Sequence, residues 1–174
     1  MVTDSLPALA LAVDPAEKGI MNKKPKKTKG IFTKGMTWRV LYQGVMVGLL
    51  TLTAFVLGLA TEGVSAAEKI AIGQTMAFST LALSELVHVF NVRDNKKSMF
   101  SSNPFNNGML LLAIGASALL MIIVLLVPQL QSIFSITNLF AYPEKLLEVV
   151  GLVFAPLLIV EVFKLLKINT IKEN

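Results

Sequence analysis

Four stretches of this chain, 38–60, 70–90, 108–127 and 145–166, are apolar over about twenty residues each, with short polar segments between them. A helix rises 1.5 Å per residue, so twenty residues cover roughly 30 Å, the thickness of a bilayer's hydrocarbon core. In lipid the backbone must satisfy its own hydrogen bonds, which leaves the helix as the only conformation for isolated spans of this kind. The reading is an all-α integral membrane protein with four full transmembrane helices. Composition agrees: 54% of the residues are hydrophobic, more than soluble domains carry. In 174 residues this leaves room for one helical bundle and no separate soluble domain. Cysteine is absent, which excludes disulfides and thiolate metal sites. No secretory leader is expected, because the N-terminus lacks a basic start and polar residues interrupt its apolar run.

That N-terminal run, residues 1–13, is a fifth and shorter apolar segment. From Asp4 to Pro15 a helix would cover roughly 16 Å, about half of the hydrocarbon core. It is read as a half-length membrane helix that places Asp4 near the bilayer midplane. A carboxylate at that depth is costly and marks a functional site by default. Pro7 breaks the helical hydrogen-bond ladder and frees backbone carbonyls beside the acid, an arrangement suited to binding ions.

The polar segments orient the bundle. Segment 14–37 is a basic loop, read as a cytoplasmic face near anionic headgroups rather than as a nucleic-acid site. With that loop inside, the basic residues from Lys18 to Arg39, those at Arg93, Lys96 and Lys97, and those at Lys164, Lys167 and Lys172 share one side. They make fourteen of the sixteen Lys and Arg, leaving Lys69 and Lys145 outside. The tail 167–174 is therefore also expected in the cytoplasm, and a bacterial version of the protein would sit in the plasma membrane. Segment 61–69 reads as a short polar turn and 128–143 as a loop without basic residues, both on the outer side.

Among the full spans, 70–90 is the one with an acid well inside it. Gln74, Phe78, Leu81 and Glu85 fall within about 60° on a helix, with His88 at the edge of that stripe. Glu85 lies six residues from Asn91, about 9 Å below the cytoplasmic end. It either pairs with His88 or snorkels to the interface, or it faces the bundle interior and ligates a cation. Elsewhere the bland readings prevail. Trp38 and Arg39 anchor the first span at the interface. Gly44 and Gly48 form a small-xxx-small pattern for helix packing. Glu161 and Lys164, three residues apart, form a local ion pair at the interface.

Several motifs also resemble a known family. Thr3-Asp4-Ser5-Leu6-Pro7-Ala8-Leu9-Ala10-Leu11 followed by Asp14-Pro15 is similar to the sixth transmembrane helix of P-type cation-transporting ATPases, calcium pumps in particular. Gly19 to Pro25 resembles the stretch that follows that helix, with Lys24 in place of a proline. Thr75 to Ser79, Glu85 and Phe90-Asn91 resemble the eighth helix; Lys97 to Phe100 resembles the lead into the ninth. Val127 to Phe134 is similar to the loop after it, and Glu161 to Lys164 to the end of the tenth. The resemblance implies that the spans correspond to helices seven to ten, preceded by half of helix six. It implies calcium as the transported ion, with Thr3, Asp4 and Glu85 as cation ligands of an incomplete site. The family's Asp-Lys-Thr-Gly-Thr, Thr-Gly-Glu-Ser and Pro-Glu-Gly-Leu motifs do not occur in these residues.

The expectation is a membrane-anchoring, ligand-contributing portion of an ATP-driven cation transporter. By itself it would have no ATP or magnesium site, no enzymatic activity, and weak ion binding. Its expected partners are the lipid bilayer and the N-terminal part of a P-type pump. Two other readings stay open: a stand-alone membrane module that associates with a pump, and a small secondary cation or proton transporter. The latter would ordinarily carry an internal repeat, and the four spans share no pattern of polar positions.

Overall fold

The computed structural model describes residues 2–13, 34–93 and 107–165, with the side chains of residues 2–4, 34 and 165 excepted. The basic loop 14–33, the return segment 94–106 and the tail beyond residue 165 lie outside the described residues. Regular structure among the described residues is entirely helical: α1 (Val2–Ala12), α2 (Lys34–Leu59), α3 (Ala66–Arg93), α4 (Gly108–Leu126), α5 (Pro128–Phe134), a 3-10 turn (Leu139–Ala141) and α6 (Pro143–Leu165). Four of them, α2, α3, α4 and α6, are long and apolar enough to cross a membrane.

Where the helices begin departs from the sequence reading in two places, each for a local chemical reason. α3 starts at Ala66 rather than 70 because Ser65 caps it: the Glu68 N–H donates to Ser65 Oγ at 3.3 Å. Ser65-Ala-Ala-Glu68 has the Ser-x-x-Glu spacing of a capping box, a signal hidden inside what looks like a polar turn. Segment 128–143 is not an open loop. Pro128, whose missing N–H costs nothing in a first turn, starts α5, and Gln131 Nε2 donates to the Leu125 carbonyl at 2.6 Å. α5 ends on Ser135, which takes a left-handed conformation (φ 54°), and the chain then buries Ile136 and Leu139. Thr75 Oγ1 accepts from the Thr137 N–H at 2.8 Å and holds this segment against α3.

α3 is the hub. It touches α1, α2, α4, α6 and the 3-10 turn, and 44% of its span is buried, against 6% of the α2 span. One core joins Ala54 of α2, Ile72 and Met76 of α3, Leu139, and Val149 and Val153 of α6. A second packs Ala10 of α1 on Leu110 and Ala113 of α4, with Val89 of α3 alongside. Most large apolar side chains left exposed, such as Leu49, Leu52, Leu112 and Leu158, lie on the spans, where lipid is their natural solvent.

The close helix approach is not where the spacing predicts. A methyl group added at Gly44 or Gly48 would meet nothing within 4 Å. The tight crossing falls instead between Gly58 of α2 and Gly73 of α3, where a Cβ on Gly58 would lie 2.4 Å from the Gly73 Cα. At the far ends of α3 and α6, Tyr142 donates its hydroxyl to Glu68 Oε1 (2.5 Å), and Lys164 donates to the Asn91 carbonyl (3.5 Å). The two contacts, at opposite ends of α3, show that α3 and α6 run parallel.

The Tyr142 contact carries a pH signature. The phenol is held above its ordinary value of 10.0, chiefly because ionisation would break its hydrogen bond to Glu68, then through partial burial and the carboxylate's charge. Its stabilising contribution is therefore fully present below pH 10 and is lost as pH rises through the raised value. Tyr142→Phe should lower the melting midpoint slightly at pH 8, and the gap between variant and parent should close above pH 10. A gap that persists at high pH would assign the effect to packing.

Candidate cation site between α1 and α3

Glu85, His88, Val89 and Val92 recur at helical spacing along one face of α3, and that face looks onto Pro7, Ala8 and Leu11 of α1. Between them lies an open, largely apolar cleft of about 270 Å³, with Glu85 and His88 as its polar lining residues. Glu85 is partly buried on its wall. One turn on, His88 Nδ1 is 3.5 Å from Asn91 Nδ2, and its Nε2 is buried without a hydrogen bond. Of the rest of the stripe, Gln74 and Leu81 are exposed, and Phe78 stacks against Phe134 with ring centroids 5.7 Å apart.

α1 continues as helix through Pro7 rather than breaking there. The ring nitrogen still has no hydrogen to donate four residues back, so the Thr3 carbonyl loses its helical partner. Pro7 is fully buried, fixing this turn of α1 in the interface. Asp4 stands one turn before Ala8, and Thr3 one residue earlier. The side chains of Thr3 and Asp4 lie outside the described residues. Among those described, no three His, Cys, Asp or Glu side chains converge to hold a metal.

A second polar cluster joins the α3 and α6 ends. Glu161 Oε1 accepts from Lys164 Nζ at 3.1 Å, and both side chains are only 5% exposed, so the pair is buried among the helices. Asn91, itself 1% exposed, donates through Nδ2 to the Pro156 carbonyl at 3.5 Å. The ion pair is legible in the sequence as an i, i+3 spacing; its burial, and the link to Asn91, are not.

A bundle of four full spans with a half-length helix docked against the acid-bearing span defines a polytopic α-helical membrane protein. The chain belongs to the family described as cation transporting ATPase, C-terminus, whose sequence model matches residues 1–166. It is 42% identical over 135 residues to the calcium-transporting ATPase of Bacillus subtilis, a match covering 77% of this chain and 15% of the relative. It is 33% identical over 181 residues to calcium-transporting ATPase 1 of Bacillus cereus (97% of this chain, 20% of the relative). Against a calcium-transporting ATPase of Listeria monocytogenes the identity is 31% over 170 residues, covering 96% and 18%. The chain thus spans about a fifth or less of the length of these relatives.

Proposed function

We propose that these residues form the membrane-embedded C-terminal region of an ATP-driven calcium transporter, with Thr3 and Asp4 of α1 and Glu85 of α3 supplying oxygen ligands to the ion in transit. The observation that carries this reading is the cleft between α1 and α3, which Glu85 lines together with Pro7. Calcium takes six to eight oxygens from carboxylates, carbonyls and hydroxyls, and it accepts irregular geometry. Two carboxylates, a threonine hydroxyl and the carbonyl released by Pro7 are ligands of the right hardness. The remainder would come from the part of a pump that these relatives possess and this chain does not overlap. In the same reading the ends of α1, α3 and α6 near Ala12, Arg93 and Leu165 face the cytoplasm, as the clustering of basic residues at those ends favours.

The test is a chimera in which residues 1–166 replace the matching segment of the Bacillus subtilis calcium-transporting ATPase, assayed for calcium uptake into inverted membrane vesicles. Glu85→Gln should raise the calcium concentration for half-maximal uptake by at least about tenfold, since even residues that only support a metal ligand are worth that much. Asp4→Asn should do the same. Calcium dependence unchanged in both variants would overturn the ligand assignment.

A further inference from the structure

The last four carbonyls of a helix have no partner within it, and on α1 one of these, at Ala10, is taken by Asn107. Asn107 Nδ2 donates to the Ala10 carbonyl at 3.5 Å, while Asn107 Oδ1 accepts from the Leu110 N–H at 3.0 Å and caps the start of α4. The side chain is buried, 7% exposed. A single amide therefore serves the C-terminal end of α1 with its donor and the N-terminal end of α4 with its acceptor. Around it α1 packs through apolar side chains, Leu6, Ala10 and Leu11 lying on Leu110, Ala113, Ile114 and Val89. Apolar contact is non-directional. It holds α1 sideways against its neighbours and does little to stop it sliding along its axis. The amide of Asn107 adds a directional link between α1 and α4.

We propose that Asn107 is a positioning residue for the cation site: it sets the axial register of α1 against α4 and, through the packing of α4 on α3, the spacing between Asp4 and Glu85. This rests on the ligand assignment above. Asn107 touches no ion; it acts through the backbone of α1.

Asn107→Asp separates positioning from capping. Asp is as good an N-cap as Asn, and its charge suits a helix start. It presents an acceptor to the Ala10 carbonyl where a donor stood. Asn107→Ala removes both functions. The chain has no cysteine, so spin labels can be placed at Leu9→Cys and Ile70→Cys, both exposed (66% and 48%), and their separation read by pulsed electron paramagnetic resonance. N107D should shift or broaden that distance with the α4 cap retained, at a lower melting midpoint because a carboxylate is buried against a carbonyl; N107A should shift it and lose the cap as well. In the chimera, N107D should raise the calcium concentration for half-maximal uptake by about tenfold with the maximal rate retained. An N107D distance distribution identical to the parent's overturns the tether. A shifted distance with unchanged calcium dependence overturns its role in positioning. Glu85→Gln in the same vesicles keeps the two failures apart: if it too leaves calcium dependence unaltered, the ligand assignment fails and the positioning role falls with it. The distance measurement then still decides whether Asn107 fixes α1.

Discussion

Gly58→Ala should destabilise the bundle by about 3 kcal/mol, the upper end for forced overpacking, and Gly44→Ala and Gly48→Ala should be close to neutral. All three exchanges add the same methyl group to the same helix. At Gly58 that methyl would sit 2.4 Å from the Gly73 Cα and 2.6 Å from the Gly73 nitrogen, so backbone rather than a pliable side chain must give way. Moving α3 off α2 also loosens the core around Ala54, Ile72 and Met76. At Gly44 and Gly48 the methyl would meet open space, and alanine is the better helix former. Gly73→Ala should lie between these extremes, because its Cβ would come 2.9 Å from the Phe55 carbonyl and 3.1 Å from the Phe55 ring, which can turn. Melting of the 174-residue chain in mild detergent, followed by circular dichroism, checks the order. Equal losses at Gly44 and Gly58 would show that the crossing is not where the structure has it.

Lys164→Met and Glu161→Leu should each cost about 3–5 kcal/mol alone, while the double variant should recover most of that loss. The charges are 3.1 Å apart with both side chains 5% exposed. Removing one leaves the other buried, where it either remains charged at high cost or changes protonation state. Lys164 also donates to the Asn91 carbonyl at the end of α3, where a cation complements the helix dipole. Lys164→Met should therefore be the worse of the two singles. A double-mutant cycle measures the coupling directly. Additive losses would mean that the two charges do not depend on each other.

The fold was legible to the extent that it depends on the bilayer. Each of the four spans appears within a few residues of its observed bounds, and the errors at their ends trace to short-range chemistry. Ser65 caps α3 from within an apparent turn, and Pro128 starts a helix within an apparent loop. The family, too, was legible, in the motifs from Thr3 to Pro15 and around Glu85. The candidate site was legible only residue by residue. Glu85 stands out because an acid inside a span is costly, yet its place on a cleft shared with α1 rests on pairings across nearly eighty residues of chain. Asn107 and Asn91 carried no signal beyond a helix cap and a helix end.

By itself, the sequence determined that the chain spans a membrane in four helices, because about twenty apolar residues in lipid have no other way to satisfy their backbone. It also determined which polar groups would be costly there. Tertiary structure alone decided which helix lies beside which. In lipid every apolar face is as well solvated as every other, so hydrophobic pattern cannot choose a helix's neighbours. The choice falls to close contacts and hydrogen bonds between residues far apart in the chain. Gly58 against Gly73, Asn91 on the Pro156 carbonyl and Asn107 on that of Ala10 are such contacts, and no periodicity announces them.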